Sequence, residues 1–243
     1  AVKFAEGYEG KITVGIKDLE DILGPVKYTD SDLLKADSVG VVNGLAWTSV
    51  GGEMLQIEAL CVEGTGKLEL TGSLGDVMKE SAKAAYSYIR SVAEDYNIPT
   101  DFYKTKDIHL HFPEGAVPKD GPSAGIGIVT AMVSALSGYT VKSSVAMTGE
   151  VTLTGRVLPI GGLKEKSMAA YKSGIKTVII PDRNLPDIKQ FDEVVTDALD
   201  FVPVSDVADV LNLALNIEKT EKHDKKQPVI PKEKANKLNT WQQ

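Results

Sequence analysis

A mixed α/β domain is predicted by three features of the sequence. β-Branched and aromatic runs punctuated by glycine fill residues 38–72. Two segments, near 73–96 and 123–136, repeat their apolar residues at helical spacing, and helix-like and strand-like stretches alternate from Leu163 onward.

Taken in order, Asp18-Leu19-Glu20-Asp21-Ile22-Leu23 reads as a short helix stopped by Gly24-Pro25. The runs Val41–Gly44, Ala46–Gly52, Met54–Val62 and Lys67–Thr71 predict β-hairpins. Ser73 and Asp76 stand like a cap and its N3 partner, opening a helix through Ala82, Ala85, Tyr86 and Ile89 that Asn97-Ile98-Pro99 ends. Ile108–Phe112 alternates as a strand, and the loop 113–122 leads into a helix over Ser123–Leu136. Its small residues Gly125, Gly127, Ala131 and Ala135 permit close packing at the centre of the domain. Ser144–Ile160 reads as a second hairpin, Leu163–Ser173 as a helix closed by Gly174, and Lys176–Pro181 as a buried strand of the βαβ kind. Phe201–Val204 is the last strand, and Ser205 is placed to cap a helix ending near Asn216. Residues 218–243, rich in Lys, Glu, Gln and Pro, are expected to form a charged, disordered tail.

Composition narrows the function. The 243 residues suffice for one domain of ordinary size with a hydrophobic core. A net charge of -7 offers no footprint for a nucleic-acid backbone, and no apolar run approaches the roughly 20 residues that span a bilayer, so neither nucleic acid nor membrane is an expected partner. A single cysteine excludes an internal disulfide framework, and no secretory leader opens the chain, so a reducing compartment is expected. Cys61 lies in the apolar run Ile57–Val62 and is read as a buried structural thiol.

Chemistry concentrates in Pro118-Lys119-Asp120-Gly121-Pro122-Ser123-Ala124-Gly125. A serine opening a helix after a Gly/Pro turn has an exposed hydroxyl beside backbone N–H groups, as a nucleophile and its oxyanion require. From spacing alone, Ser123 fits a helix cap equally well. Gly121-Pro122-Ser123-Ala124-Gly125 also satisfies the G-x-S-x-G nucleophile elbow, but the only histidines are His109, His111 and His223, none in the order that elbow expects. A lysine can serve as base instead if burial strips its ammonium of water. At 100° per residue, Leu163, Lys166, Ser167, Ala170 and Gly174 share one stripe of their helix, opposite Glu165 and Lys172. That geometry singles out Lys166. His109 and His111 share a strand face, as zinc ligands can, yet no Cys, His or carboxylate set completes a metal site and polar surface residues are the expectation. Trp47 and Glu58 are read as packing or surface residues that border a substrate groove.

The stretches Pro118–Gly125, Met147-Thr148-Gly149-Glu150, Gly155–Lys166 and Gly174–Val178, in this order, resemble the proteolytic domain of the Lon family, closest to its A-type, ATP-dependent members. The resemblance covers roughly 36–216. It implies the ribosomal-protein-S5-like α/β fold, a nucleophile at Ser123 and a base at Lys166. It further implies that Thr148 fixes the lysine, that Asp120 can contact it and hold the site inactive, and that N–H groups near Ser123 and Ala124 hold the oxyanion. The activity implied is that of a serine endopeptidase acting on unfolded or damaged polypeptide, within a hexameric ring fed by an ATPase module. No G-x-x-x-x-G-K-[ST] stretch occurs, so no cofactor is expected here, ATP and Mg belonging to that module. On this reading, 1–35 is the end of the ATPase helical subdomain with its linker, 36–217 is the proteolytic domain, and the compartment is a bacterial cytoplasm rather than a mitochondrial matrix. Two alternatives stay open: a serine esterase using His109 or His111, and a phosphate-binding module of the same fold with Gly121–Gly127 as its loop.

Overall fold

The structure, a computed structural model, describes residues 6–7, 10–11, 13–24, 36–48 and 50–217. The expectation of a disordered tail over 218–243 lies outside these residues, as do Pro25 and the linker after it. The chain divides into two units, Ala1–Leu33 and Leu34–Gln243. In the first, a 3-10 turn over Ile16–Asp18 runs into a helix over Leu19–Leu23. Gly15 N–H donates to Asp18 Oδ2 at 2.8 Å, so the acidic residue satisfies a donor that the turn leaves unpaired.

The second unit is mixed α/β. Its strands are β1 (Ser38–Val39), β2 (Val41–Thr48), β3 (Gly51–Glu63), β4 (Leu68–Thr71), β5 (Lys106–His111), β6 (Thr140–Val141), β7 (Val145–Met147), β8 (Glu150–Val151), β9 (Val157–Leu158), β10 (Thr177–Pro181) and β11 (Asp200–Val204). Seven of them form one sheet in the order β11-β10-β7-β2-β3-β5-β4. The β11-β10-β7-β2 half is parallel, and β3 pairs antiparallel with both β2 and β5. Val178, Ile179, Ile180 and Pro181 are all buried, as a strand covered on both faces demands.

Two helices position the site from opposite faces of the sheet. The helix Gly125–Ser137 is buried from Gly125 through Ser134 and packs on β2 and β3 and against the helix Asp76–Val92. The helix Leu163–Lys172 also packs on β2 and β3, but a Cβ at Gly52 would meet it, whereas Ile57 touches the first helix at Gly127. Residues 52 and 57 of one strand point to opposite faces because side chains alternate. Between the two helices, β2 and β7 share only the pairs Asn43↔Ala146 and Gly44↔Met147 before they part. Thr148 stands immediately past that point. Burial of Phe102, Phe112, Leu45, Ile57 and their neighbours holds the arrangement, each large side chain contributing about 1.5–3 kcal/mol.

Several local expectations are corrected. Residues 38–72 contain one hairpin, β2–β3; β1 pairs with β6, and β4 lies parallel to β5. Ser144–Ile160 is not a single hairpin, since the fully buried Val145–Met147 enters the central sheet and only β8 and β9 pair antiparallel. Asp206 rather than Ser205 caps Val207–Ala214, accepting Ala208 N–H at 2.8 Å, because a carboxylate at that position reaches the second free amide. Ser73 caps nothing at the start of Asp76–Val92: the N-cap is Gly75, and Ser73 itself has φ 58°. Cys61 is half-buried, because its end of β3 is open, with Leu60 56% and Val62 49% exposed on the opposite face. Short helices at Phe102–Thr105 and Glu193–Ala198 and a 3-10 stretch at Asp182–Gln190 have no counterpart in the expectation, being too short for periodicity to reveal.

Candidate active site

Ser123 sits in the 3-10 turn Pro122–Ala124 that opens the helix Gly125–Ser137. Its hydroxyl is half-buried, and its carbonyl is tied down by Gly149 N–H at 2.8 Å and by the Thr148 hydroxyl at 3.2 Å. The backbone that carries the hydroxyl is therefore anchored to the segment following β7.

Lys166 comes from the other side of the sheet. The predicted stripe is the buried one: Leu163, Lys166, Ser167 and Ala170 are at most 3% exposed, although Gly174 beyond the helix end is exposed. Nζ lies 3.0 Å from Ser123 Oγ and 3.1 Å from Thr148 Oγ1. Among the described residues Lys166 has no ion pair. Burial alone lowers its pKa from 10.5 to about 8, since an ammonium loses its hydration there and gains no anion in return.

The three polar atoms have a definite hydrogen-bond logic. Thr148 has one hydroxyl proton, donated to the Ser123 carbonyl, so its Oγ1 accepts from Nζ. As the ammonium, Nζ also donates to Ser123 Oγ; once neutral it has a lone pair within reach of that hydroxyl's proton. Thr148 is fully buried, so solvent does not compete for these bonds.

Close approach of the lysine helix depends on Gly52, where a Cβ would lie 1.9 Å from Glu165 O. Any side chain there would push the helix, and Nζ with it, away from the serine. A glycine pair inside a strand is the one sequence signal for this contact.

A groove of about 760 Å3 opens onto Ser123 and Lys166. Leu45, Met54, Leu55 and Met78 form its apolar floor, and Trp47, 58% exposed, stands at its rim. Trp47 thus borders the groove as expected, whereas Glu58 is not among the lining residues. Met78 and Leu45 were not foreseen, because nothing local distinguishes them from core residues. Asp120 lines the groove but its carboxylate accepts from Met78 N–H at 3.0 Å and Gly121 N–H at 2.9 Å, with no ion pair to Lys166. His109 and His111 bond Thr71 Oγ1, at 2.8 and 2.7 Å. Among the described residues no group of three or more His, Cys, Asp or Glu could hold a metal ion, and no helix is long and apolar enough to cross a membrane.

The same chemistry-bearing region is shared with known proteins. Residues 13–217 match the family described as Lon protease (S16) C-terminal proteolytic domain. A Lon protease of Clostridium acetobutylicum is 52% identical over 213 residues, covering 88% of this chain and 27% of that protein. One from Brevibacillus choshinensis is 54% identical over 216 residues (88% and 28%), and one from Erwinia amylovora 55% over 207 residues (84% and 26%). The chain thus spans about a quarter of the length of these relatives. On the family match and on identity above half across most of its length, the chain belongs to the Lon protease (S16) C-terminal proteolytic domain family.

Proposed function

We propose that this chain is a serine endopeptidase working through a Ser123–Lys166 dyad. The observation that carries the reading is a lysine Nζ only 2% of whose residue is exposed, with a pKa near 8, within 3.0 Å of a serine hydroxyl at a helix N-terminus. At pH 7 about a tenth of such an amine is neutral, enough for a general base. Neutral Lys166 takes the Ser123 proton as Oγ attacks the scissile carbonyl. The oxyanion is held by the Ala124 N–H at the positive end of the helix, and the new ammonium returns the proton to the leaving amine. Water, deprotonated by the same lysine, then hydrolyses the acyl-enzyme. Thr148 keeps Nζ aligned throughout.

The substrate in this reading is unfolded or damaged polypeptide, threaded to the groove by the ATPase module of a longer hexameric protein in a bacterial cytoplasm. The chain itself uses no cofactor. Cleavage of a denatured protein by the 243-residue chain, compared with Ser123→Ala and Lys166→Met, tests the assignment. Both variants are expected to be inert while remaining folded, and a wild-type rate in either defeats it.

A further inference from the structure

Asp120 lies three residues before the nucleophile in the chain, and its partners lie elsewhere. The helix Asp76–Val92 begins without a side-chain cap of its own: Gly75 occupies the N-cap position, and the Met78 N–H, at N3, would be an orphan donor. Asp120 Oδ1 accepts that N–H at 3.0 Å and the Gly121 N–H at 2.9 Å, bridging the helix start to the turn that carries Ser123. Two backbone bonds run beside it, Lys119 N–H to Ser73 O at 3.0 Å and Gly75 N–H to Lys119 O at 2.8 Å, around a parallel bridge between Leu74 and Lys119. The seat is shaped for the carboxylate: a Cβ on Gly75 would fall 2.3 Å from Asp120 Cγ and 2.4 Å from Oδ2. Gly75 has φ -74° and ψ 175°, so its backbone does not require glycine. The lack of a side chain there serves the carboxylate.

We infer that Asp120 is a positioning residue that caps the helix Asp76–Val92 from the neighbouring loop and thereby fixes the Gly121-Pro122-Ser123 turn against the groove. The inference rests on the dyad reading for its catalytic consequence, because only a placed Ser123 makes the turn matter. Asp120 touches neither Ser123 nor Lys166 and acts through the backbone. A carboxylate on a helix N-terminus is favoured by the partial positive charge there, and an ionised acceptor makes a stronger bond than a neutral one. Misplacing a nucleophile by a fraction of an ångström lowers kcat more than KM.

Five chains test this: wild type, Asp120→Ala, Asp120→Asn, Gly75→Ala and the double variant of Gly75→Ala with Asp120→Ala. Hydrogen exchange at the Met78 amide reads the cap without any turnover, and peptide hydrolysis reads its effect on the serine. Asp120→Ala and Gly75→Ala are expected to lose Met78 protection and about tenfold in kcat, with KM within about twofold. Asp120→Asn keeps an acceptor oxygen and is expected to lose no more than about threefold. Because Gly75→Ala acts only by evicting the carboxylate, the double variant with Asp120→Ala should be no worse than Asp120→Ala alone. The alkaline rise of kcat/KM should stay at the same pH in every variant, since the cap does not act through the lysine's charge. Unchanged Met78 exchange in Asp120→Ala overturns the cap. Lost protection with an unchanged or raised kcat overturns the positioning role, as does Asp120→Asn falling as far as Asp120→Ala. An inert wild type strikes the dyad reading instead and leaves the exchange data to decide the cap.

Discussion

Replacing Lys166 by Met should abolish hydrolysis and at the same time stabilise the fold at neutral pH. The fall of the lysine pKa from 10.5 to about 8 corresponds to about 3 kcal/mol of unfavourable burial for the ammonium. The folded-state value lies below the unfolded one, so the unfolded chain binds more protons between them. The penalty is complete below pH 8 and vanishes as pH rises toward 10.5. Met matches the lysine stem in length and carries no charge, while the two bonds from Nζ to Thr148 and Ser123 are lost at a cost of about 1 kcal/mol each. The net expectation is a gain of about 1 kcal/mol at pH 7, or a Tm higher by about 2–4 °C. Thermal or urea unfolding of both proteins at pH 7 and pH 10 measures it, and the difference between them cancels every other titrating group. A variant no more stable than wild type at pH 7, or an advantage that persists undiminished at pH 10, would refute the claim that an unpaired amine is buried beside Ser123.

The wild-type rate should rise with pH through about 8 as the amine deprotonates, and a limb near 6.5 would point to histidine instead. Ser123→Ala should lower kcat by at least about a thousandfold with Tm essentially unchanged, since its half-buried hydroxyl supports little packing. Thr148→Val removes the acceptor of Nζ and the donor to the Ser123 carbonyl from a fully buried position; kcat should fall about 10–100-fold and stability by about 1–2 kcal/mol, with Thr148→Ser restoring most of both. Gly52→Ala should displace the lysine helix, costing about 2 kcal/mol and most of the activity, and equal activity in this variant would show that the sheet yields to the new methyl group.

Much of the site could be read from the chain. Lys166 was identifiable because its helix is amphipathic with a charged residue on the apolar stripe, and periodicity survives into the structure there. The buried central helix behind Ser123 was equally legible from its apolar spacing. The fate of Val145–Met147 was not, since a three-residue apolar run is compatible with a hairpin or a central strand until its partners are known.

Short-range pattern determined by itself the long strands and the long helices, which lysine turns inward, and that a serine begins the central helix. Tertiary structure alone decided that Lys166 and Ser123 arrive from opposite faces of one sheet, that Thr148 stands where β2 and β7 part, and that Asp120 reaches the start of another helix. Each of these is a meeting of segments at least 18 residues apart, and local propensity carries no term for such distances.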